Sequence, residues 1–152
     1  MGVPVSVSAQ AIAEAVGREM FARDHASQAM GMQLDEIRPG YARMSMSVRR
    51  DMLNGHEICH GGYIFSLADS TFAFACNSYN FNSVAQMANI TFVAAGRLDD
   101  RLTAVAVEQT AGGRTGVYDV AVTRQDGQVI ALFRGNSYRI KGEVVADLSK
   151  AP

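Results

Sequence analysis

The segment from residue 54 to residue 76, NGHEICHGGYIFSLADSTFAFAC, holds the residues best suited to chemistry. Asp69 lies in an apolar run, where burial raises the basicity of a carboxylate and suits it to act as a base or a nucleophile. Gly61 and Gly62 lie at the predicted start of a helix, where free backbone N–H groups stabilise an oxyanion. The residue types alone leave open whether the carboxylate and the N–H groups act on one substrate.

A second grouping, HEICH, places His56, Cys59 and His60 close together in the sequence. Zinc normally needs three or four protein ligands, and no second cluster follows downstream, so we predict no metal site. His56 and Cys59 are expected to serve in a pocket wall or in packing. Cys59 and Cys76 are expected to be free thiols, as in a reducing compartment.

Hydrophobic spacing predicts the elements that position these residues. Ser8 is a candidate N-cap for an amphipathic helix over about residues 8–24. Residues 30–48 alternate around an RPG turn and predict a hairpin. A helix from about Gly61 to Cys76 is apolar on nearly every side, so we expect it to be buried all round. Four strand-like segments follow, VAQMANITFVA, RLTAVAVEQT, TGVYDVAVTR and QVIALFRGNSYRI, and they predict an antiparallel meander.

This order of elements predicts one α+β domain over residues 1–152, an antiparallel β-sheet wrapped around a long central apolar helix, with a frayed tail from about residue 142. The chain is 48% hydrophobic and 19% charged, with a net charge of −1, which is no reason to expect a nucleic-acid partner. No apolar run reaches about 18 residues and no secretory signal is recognisable. We therefore expect no membrane partner and a cytoplasmic location.

Three blocks of sequence carry a resemblance to a known family: NGHEICHGGYIFSLADSTFAFACNS, GGRTGVYDV and ALFRGNSYRI. In the first block, Asn54, His60 and Asp69 follow the spacing Asn-x5-His-Gly-Gly-x6-Asp. From about residue 21 to residue 140 the chain resembles the hotdog-fold acyl-CoA thioesterases of the phenylacetate-degradation (PaaI) type.

The resemblance implies a hotdog fold and hydrolysis of acyl-CoA thioesters, with phenylacetyl-CoA or hydroxylated phenylacetyl-CoA as the substrate in phenylacetate catabolism. By motif position, the Gly61 N–H would polarise the thioester carbonyl and Asp69 would be the nucleophile or the general base. Asn54 and His60 would shape the pocket or orient water and carbonyl. No cofactor is implied, because coenzyme A is part of the substrate.

Two arginines are candidates to bind the CoA moiety. Arg114 lies in GGRTG and Arg134 in FRGNS, and arginine offers phosphates a planar fork of donors. Gly135, Asn136 and Ser137 could add backbone and hydroxyl contacts. For either arginine alone, a solvated position on a strand or turn is an equal alternative.

Some relatives carry a serine or threonine on the strand after the helix that helps to activate water. The corresponding region here is SVAQMAN. If Ala85 holds that place the hydroxyl is missing, and Gln86 or Ser83 would have to substitute. This departure leaves both roles open for Asp69.

The spacing within the helix predicts a dimer. Gly61 and Asp69 are eight residues apart, which is roughly 12 Å along a helix axis and about 80° around it. A carbonyl bound at one of them cannot lie about 3 Å from the other. If both act on one thioester they must come from two subunits, so we predict a two-fold homodimer with shared active sites, joined by edge-to-edge pairing of SVAQMANITF. The resemblance further implies a homotetramer, a dimer of such dimers.

Two other functions stay open. A hotdog hydratase or dehydratase acting on enoyl thioesters would need an Asp/His pair within one segment, whereas His56 precedes the helix by a loop. A non-catalytic acyl-CoA-binding module would bind CoA esters without turnover. Release of free thiol from acyl-CoA esters, abolished by Asp69→Asn, distinguishes hydrolysis from both.

Overall fold

A single antiparallel sheet curls around one long helix in the computed structural model, which describes residues 7–148. The helices are α1 (Ala9–Arg23), α2 (His25–Ala29) and α3 (Gly61–Asn77), and a short 3-10 turn, Arg50–Met52, precedes α3. The strands are β1 (Gln33–Arg38), β2 (Tyr41–Ser47), β3 (Phe81–Phe92), β4 (Arg101–Gly112), β5 (Thr115–Arg124) and β6 (Val129–Glu143). Their order across the sheet is β1-β2-β4-β5-β6-β3. The predicted α+β architecture is confirmed. Within residues 7–148, no helix is long and apolar enough to cross a bilayer.

Local signals set the start of the chain's first elements as predicted. The Ser8 hydroxyl accepts a hydrogen bond from the Ala11 N–H at 3.1 Å, which satisfies one of the donors that a helix start leaves free. Asp24 ends α1 and caps α2 by accepting from the Ser27 N–H. The predicted hairpin follows as β1 and β2, which pair across the RPG turn.

The predicted meander of four strands is wrong for β3. Strands β4, β5 and β6 pair consecutively, but β3 pairs with β6 at the far edge of the sheet. The reason is that β2 occupies the side of β4 that a meander would give to β3, where Met44 and Met46 lie buried in register with Ala104 and Leu102. β3 is left as an edge strand with one hydrogen-bonded neighbour.

Helix α3 contributes many of the core side chains, but within one chain it is not buried on every side. The Phe72 ring packs against Tyr118 and Phe133, with ring centroids 5.6 Å and 5.9 Å away. The predicted complete burial of α3 is wrong for one stripe of residues, which are spaced three or four positions apart and remain accessible to solvent. Gly62 is exposed there, and the half-buried members of the stripe are Phe65, Ser66, Asp69 and Ala73. The single curled sheet covers only part of the helix circumference, so this face stays open.

The predicted frayed tail from about residue 142 is wrong for its described part. β6 continues to residue 143. Beyond it, Val145 and Leu148 pack against Ile12 and Val16 of α1. The Asn80 side-chain amide donates hydrogen bonds to the Val145 and Leu148 carbonyl oxygens at 3.1 Å and 3.2 Å. Apolar contact and backbone hydrogen bonds therefore hold this segment against the first helix.

Candidate active site

The N-terminus of α3 presents a free backbone N–H group. His60 caps the helix, because its Nδ1 accepts a hydrogen bond from the Gly62 N–H at 2.9 Å. No acceptor among residues 7–148 is hydrogen-bonded to the Gly61 N–H. Since the positive end of the helix dipole lies here, this N–H is suited to bind a carbonyl oxygen or an oxyanion. Phe92 covers the site so closely that a Cβ at Gly61 would lie 2.9 Å from its ring.

Asn54 organises the loop that leads into α3. Its Oδ1 accepts hydrogen bonds from the N–H groups of His56 at 2.9 Å and Ile58 at 3.4 Å, which forms a local turn. Its side-chain NH₂ makes no hydrogen bond within the described chain and is left available to a ligand. Asn54 also lines a cleft of about 560 Å³ together with His60 and Gly61. The loop thus brings an amide donor to the same cleft as the free N–H.

Asp69 lies on the open stripe of α3 and faces a separate cavity of about 590 Å³. Its half-buried carboxylate makes no hydrogen bond or ion pair with the residues that the structure describes. Burial raises the pKa of the Asp69 carboxyl above its usual range. Burial, with a smaller effect of the Asp69 charge, also raises the pKa of Cys76 to about 12, so this thiol stays protonated and does not compete as a nucleophile.

Gly61 and Asp69 do not face a common space within one chain. The helix between them is continuous, so they remain roughly 12 Å apart along its axis. The end of β3, including Phe92, walls the Gly61 cleft, whereas the start of β3, including Ser83 and Ala85, walls the Asp69 cavity. The two spaces have no wall residue in common. The two halves of the predicted site therefore lie at opposite ends of β3.

Ser83, Ala85 and Gln86 at the start of β3 were considered as sources of a polar group that could help Asp69 to activate water. Ala85 lines the cavity without a hydroxyl, and Gln86 is exposed in a β-bulge outside the cavity wall. The Ser83 hydroxyl lines the cavity and donates to the Phe81 carbonyl oxygen at 3.2 Å. Of these three residues, Ser83 is the one that brings to the cavity an oxygen able to accept a hydrogen bond from water.

The residues considered for CoA binding do not share one surface. Arg134 forms a two-pronged ion pair with Asp119 on the exposed face of the sheet, Nε to Oδ1 at 2.6 Å and Nη2 to Oδ2 at 2.8 Å. Gly135 faces the helix instead, where a Cβ would lie 2.9 Å from the Phe72 ring. Neighbouring strand residues point to opposite faces, so these two positions cannot contact the same ligand.

The other three CoA candidates are also divided between the faces of β6. Asn136 is half-buried on the same face as Arg134. Ser137 is buried on the helix side and lines a third cavity, of about 400 Å³, which Arg114 also borders. Arg114 stands exposed on the β4–β5 turn, with its Nη1 3.5 Å from the Tyr138 hydroxyl. Within one chain, only Arg114 and Ser137 of the five border a common space.

The residues of the HEICH segment differ in their exposure to solvent. His56 is exposed, and Cys59 is buried and unpaired, as is Cys76. Among residues 7–148, no group of three His, Cys, Asp or Glu side chains could hold a metal ion. Phe92 belongs to the site although no sequence pattern reveals it, because its contact with Gly61 depends on where β3 crosses the helix.

Comparison with known proteins identifies the family. Residues 56–131 match the thioesterase superfamily model. The acyl-coenzyme A thioesterase PaaI of Escherichia coli (strain K12) is 42% identical over 128 residues, 84% of this chain and 91% of that protein. The structure of the E. coli PaaI protein from the phenylacetic acid degradation operon matches with a TM-score of 0.88 and 41% identity, covering 90% of this chain and 99% of that chain. A Streptococcus mutans UA159 protein bound to acetyl-CoA matches with a TM-score of 0.70 and 28% identity, covering 74% of this chain and 90% of that chain. The chain therefore belongs to the thioesterase superfamily, as a hotdog-fold thioesterase of the PaaI type.

Proposed function

We propose that this protein hydrolyses acyl-CoA thioesters to a free acid and CoA. One observation carries the proposal. The Gly61 N–H and the Asp69 carboxylate, both in the family motif, have no hydrogen-bonding partner in the described chain. Attack on a thioester is accelerated by a donor that stabilises the oxyanion and by a nucleophile or general base, and a carboxylate can fill the second role. The E. coli relative carries the name of an acyl-coenzyme A thioesterase, which agrees with this chemistry.

The two groups would meet across the axis of a two-fold dimer. β3 pairs only with β6 among the described strands, and Val84 and Met87 on it are 45% and 53% exposed. Antiparallel pairing of two β3 strands about their midpoint sets the start of one beside the end of the other. The Asp69 cavity of one subunit would then adjoin the Gly61 cleft of its partner. A monomer would hold two incomplete halves.

In such a composite site, the thioester oxygen would accept a hydrogen bond from Gly61 of one subunit, and its carbonyl carbon would face Asp69 of the other. The carboxylate either attacks that carbon, giving an anhydride that water then cleaves, or takes a proton from an attacking water. In both routes the tetrahedral oxyanion collapses as the CoA thiolate leaves. His60 supports the site by capping α3, and Asn54 by closing the preceding loop.

A phenylacetyl or ring-hydroxylated phenylacetyl group is the proposed acyl group, as an intermediate of phenylacetate catabolism. One support is the likeness to the E. coli protein of the phenylacetic acid degradation operon. The other is the wall of the Asp69 cavity, where Phe72, Ala73 and Val84 offer apolar surface to a ring. A flat apolar acyl group would fill this space beside the carboxylate.

For the CoA phosphates we favour Arg114 over Arg134. Arg134 would have to leave Asp119 to bind a phosphate, whereas Arg114 has no ion-pair partner within residues 7–148. The exposed β4–β5 turn would present Arg114 to CoA bound on a neighbouring subunit. This contact is consistent with association of dimers into the tetramer that the family resemblance implies. Asn136 stays a candidate, since it lies on the outward face of β6.

The test is thiol release by the purified protein from a panel of acyl-CoA esters that includes phenylacetyl-CoA. We expect the wild type to release CoA, and Asp69→Asn to lose about 10²–10⁴-fold in rate. Asp35→Asn, which alters an exposed carboxylate on β1, is the matched control and should retain activity. Binding of CoA esters without turnover, or hydration of enoyl esters without thiol release, would contradict the proposal.

A further inference from the structure

The Asp69 cavity extends well beyond the carboxylate that the proposed reaction uses. Its wall on α3 runs from Asp69 through Ala73 and Cys76 to Asn77, the last residue of the helix. Eight residues separate Asp69 from Asn77, which is roughly 12 Å along the helix axis. Since reacting atoms lie about 3 Å apart, most of this length is available to the acyl group. The residues that close the far end of the cavity therefore set how long that group can be.

The chain that follows β6 closes this far end. Glu143 pairs in register with Phe81, which comes four residues after the end of α3. Glu143 and Val144 both line the cavity, and Met20 of α1 lines it as well. Val144 is half-buried and, like Val145, packs against the apolar cluster of α1. Val144 thus presents apolar surface at the place where an acyl group would end.

A clasp formed by Asn80 and Arg23 fixes the position of Val144. The Asn80 side chain is fully buried, and its amide donates to the carbonyl oxygens of Val145 and Leu148 at 3.1 Å and 3.2 Å. The Asn80 Oδ1 accepts a hydrogen bond from the Val145 N–H at 2.9 Å, and Arg23 Nη2 donates to the Val144 carbonyl oxygen at 3.2 Å. Displacement of the segment would leave a buried amide without partners, which is unfavourable. The segment therefore resists an acyl group that presses on Val144.

We propose that residues 143–148 form the end wall of the acyl pocket, and that Val144 limits the length of the acyl group. The inference rests on the proposed hydrolysis at Asp69. An acyl group gains affinity with each methylene that it buries, whereas a group longer than the cavity must displace Val144 and break the clasp. The protein therefore accepts acyl groups of limited length and rejects long-chain fatty acyl groups.

The first test measures kcat/KM for straight-chain acyl-CoA esters from butanoyl-CoA to dodecanoyl-CoA, in steps of one methylene. We expect the wild-type value to rise with length and then to fall. Relative to butanoyl-CoA, Val144→Ala should raise the value for the first ester past the wild-type maximum about fourfold, the effect of one more buried methylene. Val145→Ala is the matched control, because it removes the same two methyl groups from a residue of the α1 contact that does not line the cavity.

The control should keep the wild-type length profile. An unchanged profile in Val144→Ala, with thiol still released, overturns the end wall and leaves the hydrolase function standing. A wild-type profile that rises through dodecanoyl-CoA without a fall overturns the end wall as well.

Asn80→Gly tests the clasp. The backbone of Asn80 is left-handed, with φ 68°, and glycine adopts that conformation freely, so the substitution removes the three hydrogen bonds of the side chain and keeps the turn. We expect a lower Tm together with a length profile shifted toward longer esters. A lower Tm with the wild-type profile would show that Asn80 only stabilises the fold, and would overturn its role in positioning the wall.

The last test does not depend on turnover. Calorimetry measures the affinity of Asp69→Asn, in which the esters should stay intact, for the same acyl-CoA series. Affinity should pass through a maximum with length, and addition of Val144→Ala should move that maximum to a longer ester. Affinity without a maximum overturns the end wall. A maximum in a protein whose wild type releases no thiol supports the end wall and refutes the hydrolase function instead.

Discussion

Mixed dimers of two inactive variants test the composite active site most directly. Asp69→Asn removes the carboxylate and keeps its shape. Gly61→Pro removes the free N–H, and the first position of a helix accepts proline because no intrahelical hydrogen bond is lost there. His60, the residue before, already has the extended backbone that proline requires, with φ −59° and ψ 132°. In the proposed dimer, each variant alone would lose both active sites.

The geometry of α3 sets the expected recovery. One chain keeps Gly61 and Asp69 roughly 12 Å apart along the axis, so in the proposed dimer each site would take one group from each subunit. In a mixed dimer, one site carries both substitutions and the other carries neither. Equal amounts of the two variants form about half mixed dimers, each with one intact site, so the mixture should recover about one quarter of wild-type activity. The separate variants should lie about 10²-fold or more below wild type.

Thiol release is the assay, with the variants co-expressed under two different affinity tags so that mixed dimers can be isolated. The isolated mixed dimer should reach about half of wild-type activity. Gly61→Ala is the matched control, because it keeps the N–H and adds only the Cβ that would lie 2.9 Å from the Phe92 ring; Gly61→Pro should lose more. A mixed dimer no more active than the mean of its parents refutes the two-subunit site.

The remaining predictions concern Asp69, Met87, Gly135 and His60. Burial raises the pKa of Asp69, so the acid limb of the kcat/KM profile should lie above the ordinary carboxyl value of 3.8, and a limb at 3.8 would contradict its role as base. Because the folded chain binds that proton more tightly than the unfolded chain, the contribution of Asp69 to stability should be lost as pH rises from 3.8 through the raised pKa. Asp69→Asn should therefore raise Tm at neutral pH but not below 3.8. Met87→Lys, on the exposed edge of β3, should give a monomer by light scattering with roughly 100-fold lower activity, since it would lack the partner's oxyanion donor; an active monomer would exclude a shared site. Gly135→Ala would place a Cβ 2.9 Å from the Phe72 ring and should lower the unfolding free energy by about 1–3 kcal/mol in denaturant titrations, and a second substitution, Phe72→Leu, should recover part of that loss. His60→Asn keeps a capping acceptor and should retain Tm and most activity, whereas His60→Ala should lose about 1 kcal/mol of stability; equal activity losses would instead assign chemistry to the imidazole.

Local sequence signals predict the elements well and their arrangement less well. Ser8, the RPG turn and the apolar run after Gly61 each act on neighbouring residues, so the helix starts and the hairpin follow directly from them. The place of β3 depends instead on competition for the side of β4. Since Met44 and Met46 of β2 bury themselves there, β3 is moved to the far edge of the sheet. No spacing within β3 itself reports that competition.

The same division applies to the candidate site. The sequence by itself determined that Gly61 and Asp69 stand at a fixed separation on one helix, because helix geometry is set by the backbone, and hence that one chain cannot join them at one carbonyl. Only the tertiary structure decided that the two groups face separate cavities at opposite ends of an exposed edge strand. It also decided that Ser137 lies on the helix side of β6, while Arg134 on the outward face is paired with Asp119. These properties arise from contacts between residues that are distant in the chain and that come together only when the strands pair and pack on α3.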